Sequence, residues 1–333
     1  MKRQLLGVAA ILLSISTYAQ DNPLWMRYCA ISPDGTTIAF TYKGDIYTVP
    51  STGGRASQIT TNPAHDTKPI WSPDGKKIAF ASDRMGSMDI FEVNKEGGIP
   101  KRLTTHSGNE TPVAYKDAGH ILFLANIMPT AEDAQFPSGQ FQQVYEVNTE
   151  GGRPILFSSM PMEDISINHT GNTLLYHDKK GYEDPWRKHH TSSITREIWL
   201  CSLNGNRTFR KQTTFNGEDR TPVWASDDKS FYYLSEEKGS FNIFKRDIDG
   251  NTSKQITNHT KHPVRFLSAA SNGTLCYGYD GEIYTVKEGA IPQKVQISIV
   301  TDKNDKDLIR QIKRSGATAI SLSPAAIVIA FVL

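Results

Sequence analysis

Residues 71–104 read WSPDGKKIAFASDRMGSMDIFEVNKEGGIPKRLT, and this stretch has the pattern of one small antiparallel β-sheet. Residues 72–75 (Ser-Pro-Asp-Gly) supply the residue types that a tight turn requires. The apolar run at 78–81 and the alternating run at 89–93 are rich in β-branched and aromatic residues, as strands are. Gly97-Gly98 then marks a second turn. The stretch therefore predicts a repeating unit of strands rather than a catalytic motif.

The same parts recur in the same order in six copies along the chain. The apolar strand recurs at 38–40, 78–80, 121–123, 174–176, 231–233 and 275–277, and the alternating strand at 45–49, 89–91, 144–147, 198–200, 242–244 and 282–286. Ile38 and Ile78 are 40 residues apart, which is the spacing of four-stranded propeller blades. One unit cannot bury its apolar faces alone, whereas units arranged in a ring cover each other. We therefore predict an all-β, six-bladed β-propeller of four-stranded antiparallel blades; an open solenoid and two separate sandwiches are the alternatives.

Short polar links that contain proline separate several copies. They lie at 66–71, 110–113, 219–224 and 262–264. Proline is compatible with the first residue of a strand, and we expect these links to lie on one rim beside the central channel. Closure of the ring has two alternatives. The segment 24–31 either completes the last blade and latches the ring, or it belongs to the first blade and leaves closure to packing alone.

The N-terminal residues have the features of a secretory signal. Lys2 and Arg3 precede an apolar run at 5–15, and the small residue Ala19 ends the segment. An uncleaved membrane anchor is the alternative. We expect residues 1–19 to be a signal peptide, residues 20–300 to form the propeller, and the mature chain to be periplasmic.

The C-terminal residues differ in composition from the repeats. Residues 301–316 are largely charged and predict a linker. Residues 317–333 resemble the incomplete first strands of a following propeller, with Ile329-Ala330-Phe331 repeating the apolar strand of the first two copies. A lone partial blade would expose an apolar edge. We therefore expect this chain to be the front part of a longer protein.

The composition excludes several classes of partner. The chain has 333 residues, a net charge of +2 and 22% charged residues, which predicts no nucleic-acid partner and no membrane association after signal cleavage. The three cysteines, Cys29, Cys201 and Cys276, are widely spaced and lie in predicted strands. An odd count without a Cys-x-x-Cys pair indicates small buried hydrophobic residues rather than a disulfide framework or a zinc site.

No motif of a known catalytic machinery is present. The chain has no Gly-x-Ser-x-Gly elbow, no Walker loop, no His-Glu-x-x-His and no dinucleotide fingerprint, so we predict no catalytic residue, cofactor or metal site. His65, His106 and His259 occupy similar positions in the links. They form either a metal or acid–base cluster or a repeated loop histidine that bonds to the backbone, and the repetition favours the second. The acidic link residues are predicted to hold turns; they are Asp66, Glu110 and Asp219.

Two insertions interrupt the repeat and supply the candidate binding residues. They lie at 127–140 and 180–196, both between the two middle strands of a copy, so we expect them to project from the same rim. Insertions on one face of a repeat protein often bind ligands, although packing on the blade edge is the alternative. The candidate peptide- or partner-binding residues are Phe136, Phe141, Tyr182, Trp186, His189 and His190.

The repeat resembles that of a known family. Trp-Ser-Pro-Asp-Gly-Lys-Lys-Ile-Ala-Phe at 71–80, followed by Asp-Ile-Phe and Gly-Gly, resembles the TolB-like propeller repeat. The order of signal, six copies, charged linker and restart at 316–324 is similar to the N-terminal end of secreted tricorn-like serine peptidases. This resemblance implies a non-catalytic propeller that guides or binds peptides for a protease core, and none of that family's catalytic residues has a counterpart here.

Two other functions remain open. One is a free-standing TolB-like module that docks a periplasmic protein through the rim that bears the insertions at 127–140 and 180–196. The other is a propeller enzyme that acts on sugars, since one fold hosts many functions, but no convergent pair of acids supports it. The expected partner is therefore a peptide or a protein.

Overall fold

The structure, a computed structural model, describes residues 23–127, 141–182 and 192–300, and the backbone of two further strands at 319–322 and 329–332. The chain divides into two compact units, Met1–Val300 and Thr301–Leu333. Six four-stranded antiparallel sheets make up the first unit. Each sheet pairs its strands in chain order, so each is one blade, and the predicted six-bladed propeller is confirmed.

The strands of each blade run from the centre of the ring outward. Blade 1 contains β1 (Arg27–Ile31), β2 (Thr37–Tyr42), β3 (Asp45–Pro50) and β5 (Ser57–Gln58), with the short strand β4 (Gly54–Arg55) between β3 and β5. Blade 2 contains β6 (Asp66–Trp71), β7 (Lys77–Ser82), β8 (Asp89–Asn94) and β9 (Lys101–Arg102). Blade 3 contains β10 (Thr111–Asp117), β11 (His120–Ala125), β12 (Gln143–Asn148) and β13 (Ile155–Ser158).

The second half of the ring repeats this arrangement. Blade 4 contains β14 (Met162–Ile167), β15 (Thr173–Asp178), β16 (Ile198–Ser202) and β17 (Thr208–Lys211). Blade 5 contains β18 (Asp219–Trp224), β19 (Ser230–Ser235), β20 (Asn242–Asp247) and β21 (Ser253–Gln255). Blade 6 contains β22 (Arg265–Ala269), β23 (Leu275–Tyr279), β24 (Glu282–Val286) and β25 (Gln293–Lys294), and the chain continues into β26 (Ile297–Ser298).

The prediction that the proline-containing links lie on a rim is wrong for most of their length. Residues 66–71 and 219–224 form β6 and β18, the innermost strands of their blades. Pro69 and Pro222 are accepted there because each lies where the pairing with the next strand is interrupted by a bulge. Lys68, Arg220 and Thr221 of these segments line the cavity at the centre of the ring.

The hydrophobic core lies between blades rather than within them. Six clusters of buried side chains each combine residues of two neighbouring blades. Between blades 1 and 2, for example, Ile46 packs with Trp71, Phe80 and Phe91. The apolar strand that defines the repeat is fully buried in every blade because both of its faces are covered by neighbouring sheets.

Local hydrogen bonds explain the recurring turn. The hydroxyl of Ser72 donates to the carboxylate of Asp74 at 2.7 Å and accepts the backbone N–H of Lys77 at 2.9 Å. Gly75 follows with a φ of 67°, a left-handed conformation that glycine adopts without strain. The Ser72 hydrogen bond is the largest cause of the lowered pKa of Asp74. The Ser-Pro-Asp-Gly pattern thus specifies the turn from the first to the second strand.

Ring closure differs from both alternatives of the sequence analysis. β1 pairs with β2 and so belongs to the first blade. Packing is not the only closing contact, because β26 pairs in parallel with β4, with the N–H of Gly54 donating to the carbonyl of Gln296 at 2.8 Å. The N–H of Met26 also donates to the carbonyl of Gly281 at 3.0 Å. The segment after the last blade therefore latches onto the outer part of the first.

Replacing Gly53 by alanine is expected to weaken this latch. A Cβ atom at Gly53 would lie 2.7 Å from the carbonyl oxygen of Gln296, and the φ of 92° already disfavours alanine. Gly97 is the matched control, because its φ is 93° but its nearest atom is an ordinary 3.5 Å away. We expect Gly53→Ala to lower the free energy of unfolding by about 1 kcal/mol more than Gly97→Ala in chemical denaturation. Equal losses would show that the latch tolerates displacement without cost.

The second unit contains one described hairpin. β27 (Ala319–Leu322) and β28 (Ile329–Val332) pair antiparallel, with Ile320 opposite Phe331. The restart of strands after residue 316 is thus observed, while its assignment to a following propeller stays a prediction, and the proposed linker at 301–316 lies outside the described residues. Within the described part of the chain, no helix has the length and apolar character needed to cross a membrane.

Candidate binding site in the central cavity

A cavity of about 600 Å³ lies at the centre of the ring. Its lining includes residues of the innermost strand of every blade, namely β1, β6, β10, β14, β18 and β22. These six strands contact one another in sequence around the ring, and β22 contacts β1. The cavity volume falls in the range of pockets that hold small molecules or a few residues of a peptide.

Five innermost strands share an unusual backbone conformation at a residue that lines this cavity. In each, the register with the second strand shifts by a bulge, and one non-glycine residue inside the bulge has a φ between 48° and 56°. These residues are Tyr28, Lys68, Asp164, Thr221 and Phe266, and all of them line the cavity. Left-handed backbone is costly for such residues and recurs where the fold must aim a side chain.

Blade 3 departs from this pattern. Its innermost strand has one residue, Thr111, between Glu110 and Pro112, whereas blade 2 has Thr67 and Lys68 at that place. None of the residues of β10, all of which are described, has a positive φ, and its register shifts after Pro112 instead. The ring of inward side chains is therefore asymmetric.

A buried network of charges forms one wall of the cavity. Glu163 on β14 interacts with His177 Nε2 at 3.3 Å, Lys179 Nζ at 2.7 Å and Arg196 Nε at 3.5 Å. Burial alone would raise the pKa of Glu163, but its hydrogen bonds with His177 and Lys179 and the charge of Lys179 outweigh burial and hold the pKa well below its usual range. Glu163 is therefore ionised at neutral pH.

His177 joins blades 4 and 5 through this network. The backbone N–H of Thr221 donates to His177 Nδ1 at 3.2 Å, so Nε2 carries the proton that faces Glu163. The hydroxyl of Thr221 donates to Asp164 at 2.6 Å. His177 is not among the residues predicted from the sequence, although it stands out from the repeat, because the same position holds Thr41 or an apolar or small residue in the other copies.

A second carboxylate, that of Glu218, lies near Glu163 and pairs with two arginines. Glu218 is 1% exposed and accepts from Arg196 NH1 at 3.0 Å and from Arg220 NH1 at 3.4 Å. The Arg220 guanidinium also lies 4.1 Å from the centre of the Phe241 ring. Burial, with the neighbouring Arg265 and Arg196, lowers the pKa of Arg220 to about 10 despite Glu218, so Arg220 stays charged at neutral pH.

Basic side chains outnumber acidic ones along the lining. The lining contains the cations Lys68, Lys179, Arg196, Arg220 and Arg265 and the carboxylates Glu163 and Asp164. Apolar residues such as Ile70 and Leu267 complete it. Charges in a confined site interact more strongly than in bulk water. The cavity therefore suits a polar chain with apolar and anionic groups.

The structure tests the candidate residues of the insertions only in part. Both insertions connect the second and third strands of their blades, as predicted, because they lie between β11 and β12 and between β15 and β16. Tyr182 is 90% exposed and lines the cavity, and Phe141 is half-buried. Phe136, Trp186, His189 and His190 lie outside the described residues, so their role stays a prediction. Arg196 at the end of the second insertion is fixed to the cavity wall by Glu163 and Glu218.

The link histidines have structural contacts. His106 Nδ1 accepts the backbone N–H of Gly108 at 2.9 Å, and the backbone N–H of His65 donates to Asp83 at 2.8 Å. His259 differs from the expectation, because its Nε2 pairs with the hydroxyl of Tyr277 at 2.9 Å rather than with backbone. Over 23–127, 141–182 and 192–300, no group of three or more metal-ligating side chains converges.

The acidic link residues have two different roles. Asp66 accepts two hydrogen bonds from Arg84, at 3.0 and 2.9 Å, and so holds the turn at 83–86 as predicted. Glu110 and Asp219 are almost fully buried, and burial raises the pKa of each to about 7 although nearby hydroxyl groups oppose the shift. Among the described residues, no well-aligned hydrogen bond reaches either carboxyl oxygen of Glu110.

These two acids predict a pH dependence of stability. Between about pH 4 and 7 the folded protein keeps protons that the unfolded chain releases, so stability falls as the pH rises through this window. Each of the two carboxyl groups accounts for a fall in the free energy of unfolding on the order of 3 kcal/mol across this window. We expect Glu110→Gln and Asp219→Asn each to reduce the loss of stability between pH 5 and pH 8, measured by urea unfolding.

His259 changes stability with pH in the opposite direction, and comparing each variant with the wild type removes its contribution. Burial lowers the pKa of His259, so its contribution to stability rises as the pH rises towards the ordinary pKa of histidine. Because both variants retain His259, the difference between variant and wild type isolates each carboxyl group. An unchanged pH profile in both variants would contradict the assignment of raised pKa values.

Known proteins share this architecture. The sequence model of the family described as "Tricorn protease N-terminal beta propeller domain" matches residues 23–290. Tricorn protease homolog 1 of Streptomyces coelicolor is 25% identical over 281 residues, which cover 83% of this chain and 25% of that protein. The tricorn protease homolog of Saccharolobus solfataricus is 27% identical over 295 residues, covering 84% of this chain and 26% of that protein. The chain thus spans about a quarter of the length of these curated relatives.

Solved structures agree on the fold. The crystal structure of the tricorn protease superposes with a TM-score of 0.69 at 20% identity, covering 90% of this chain and 28% of that one. TolB from Acinetobacter baumannii superposes with a TM-score of 0.54 at 17% identity, covering 73% of this chain and 56% of that one. At these identities the likeness shows the propeller fold alone.

Proposed function

The chain belongs to the family of tricorn protease N-terminal β-propeller domains, and we propose that it binds extended peptides in its central cavity and guides them for a peptidase core. The single observation that carries this proposal is the cavity of about 600 Å³, which side chains from all six blades line. The names of the relatives supply the peptidase context. The chain itself carries none of the catalytic motifs sought in its sequence.

Side chains, rather than an added β-strand, hold the peptide in this proposal. An added β-strand would pair the peptide backbone with an exposed strand edge of the cavity. Five innermost strands are bulged at Tyr28, Lys68, Asp164, Thr221 and Phe266, and bulges blunt an edge against strand addition. The same residues direct polar, charged and aromatic groups at the cavity. The amide groups of the peptide then pair with these side chains, while apolar side chains of the peptide contact Ile70 and Leu267 in the cavity wall.

Lys68→Glu tests this proposal. Lys68 lies in the bulge of β6 beside the Tyr28 ring, 5.8 Å from its centre, and lines the cavity. Charge reversal there is expected to weaken binding of an extended acidic peptide at least about tenfold, as measured by fluorescence anisotropy. Lys229→Glu is the matched control, because Lys229 is an exposed lysine in the turn between β18 and β19. Equal affinities of the two variants would place peptide binding outside the cavity.

The location of the protein is part of the proposal. Residues 1–19 have the charged start, apolar core and small-residue end of a secretory signal, so we place the mature chain in the periplasm. Cell fractionation with an antibody against residues 21–300 tests this, and the size of the detected band also reports whether the propeller is joined to a larger peptidase. A cytosolic band would contradict export.

A second candidate function rests on the exposed rim. Tyr182 is 90% exposed at the start of the second insertion, and an aromatic side chain in such a place is typical of a protein contact. A free-standing TolB-like module would bind a protein partner there. Tyr182→Ser would then abolish capture of that partner, whereas Lys68→Glu would leave it unchanged.

A further inference from the structure

Two of the three cysteines meet at the junction where the ring closes. Cys29 lies on β1 in the first blade and Cys276 on β23 in the last, 4% and 0% exposed. Both belong to the core cluster that joins these two blades. The Cys29 thiol donates to the carbonyl of Phe266 at 3.4 Å. The two thiol groups therefore lie in one packed cluster although their residues are 247 positions apart.

Ser268 fixes the relative position of the two cysteine backbones. It is the ladder partner of Cys276, and its hydroxyl lies 3.5 Å from the carbonyl oxygens of both Cys29 and Cys276. The same hydroxyl accepts the backbone N–H of Ile31 at 3.0 Å. These bonds hold β1 against β22 and β23, so the two cysteines stay together as long as the ring is closed.

At this junction the two neighbouring blades are the first and the last in the chain rather than consecutive ones. Its described polar contacts include the two-residue pairing of β26 with β4 and the bond from Met26 to Gly281. A covalent link here would close the ring permanently. The third cysteine, Cys201, lies on β16 in blade 4 and is buried away from this junction.

We propose that Cys29 and Cys276 are a thiol pair that a small disulfide compound oxidises to a bond joining the first and last blades. One cysteine thiolate attacks a sulfur of the compound and releases one thiol, which leaves a mixed disulfide on the protein. The other cysteine then attacks that mixed disulfide, forms the Cys29–Cys276 bond and releases the second thiol. The protein loses two hydrogen atoms, and the compound is reduced to two thiols.

The bond forms while the junction is open. Burial, and the contact with Cys29, raise the pKa of the Cys276 thiol well above its ordinary value. Because the thiolate is the reactive species, the closed ring protects the pair from attack. During folding, before the last blade docks on the first, both thiols are exposed and react. The bond then constrains a very long loop of the unfolded chain, which is where such links stabilise most.

The test is refolding with and without an oxidant. The purified chain is unfolded in denaturant, refolded with oxidised glutathione or with a reductant, digested and analysed by mass spectrometry. We expect a linked Cys29–Cys276 peptide only after oxidative refolding, and a thermal midpoint about 5 °C or more above that of the reduced protein. Cys201→Ser should keep both effects. Cys29→Ser and Cys276→Ser should lose the link and show no dependence of the midpoint on the oxidant.

Other outcomes overturn the proposal. Refolded protein with two free thiols at 29 and 276, or with links that involve Cys201, would show that the pair is only a buried contact. A linked protein no more stable than the reduced one would show that the bond does not secure the ring. Incubation of the folded protein with the same oxidant adds a further check, because oxidation faster than in the denatured chain would contradict protection by the closed junction.

Discussion

Replacing Glu218 by glutamine is expected to lower the free energy of unfolding by about 3 kcal/mol. Glu218 is buried between Arg196 and Arg220, which lie 3.0 and 3.4 Å from the same carboxylate oxygen. Glutamine keeps the volume of the side chain but removes the charge. Arg220 would then remain buried without this counter-ion, and removing one charge from a buried ion pair is strongly destabilising. Arg196 retains Glu163 at 3.5 Å, which limits the loss.

Urea unfolding of Glu218→Gln beside Glu150→Gln measures this effect. Glu150 also pairs with a cation, Lys101 at 2.8 Å, but their side chains are 83% and 45% exposed. An exposed pair of this kind contributes little to stability because water and salt screen it. We expect a clear separation of the two variants and no change in the slope of unfolding with urea. A loss below about 1 kcal/mol for Glu218→Gln would mean that the arginines are not held by this carboxylate.

Replacing Phe80 by alanine is expected to lower the free energy of unfolding by about 3–5 kcal/mol. Phe80 is fully buried between the first two blades, its ring lies 6.1 Å from that of Phe91, and the Arg84 guanidinium lies 5.5 Å from its centre. Truncation removes apolar contacts with both blades and leaves a cavity that packed sheets on either side cannot collapse to fill.

The control for Phe80 is an aromatic residue of the same type on an outer strand. Phe209 on β17 is 39% exposed, so Phe209→Ala should cost less than about 1.5 kcal/mol. Phe80→Leu should fall between the two alanine variants because it leaves a smaller cavity. Similar losses at positions 80 and 209 would contradict a core that lies between the blades.

The sequence predicts the blades because their second and third strands are covered on both faces. Ile78-Ala79-Phe80 and its counterparts must be apolar wherever two sheets pack on them, so the repeat is visible in every copy. The turn Ser72-Pro73-Asp74-Gly75 is equally local, since its hydrogen bonds join residues only a few positions apart. Number, order and boundaries of these elements therefore follow from short-range pattern.

The innermost strands and the cavity site could not be predicted from short-range sequence pattern. Residues 66–71 face a polar cavity and contain proline, so they lack the alternation that marks a strand. The left-handed backbone of Lys68 and Thr221 arises from the bulge, and the type of residue at these positions does not predict it. The network depends on the contact between blades 4 and 5, where Arg196 bridges Glu163 and Glu218, which are 55 positions apart in the sequence.

Ring closure shows the same limit. β26 contains two residues and pairs with a two-residue strand more than 240 positions earlier. Two residues are too few to show a hydrophobic period, so the sequence of β26 does not predict its pairing with β4. Gly53, whose missing Cβ leaves room for the carbonyl of Gln296, is the one sequence feature that fits this contact.

Photo-crosslinking with an extended peptide that carries a photoreactive phenylalanine analogue tests the central claim most directly. The claim is that peptides enter the cavity formed by the six innermost strands. We predict that crosslinked sites, mapped by mass spectrometry, fall on cavity-lining residues such as Lys68, Thr221 and Phe266, and that Lys68→Glu reduces the yield. Crosslinks confined to the exposed outer residues Ile99, Ile155 and Ile291 would contradict the account.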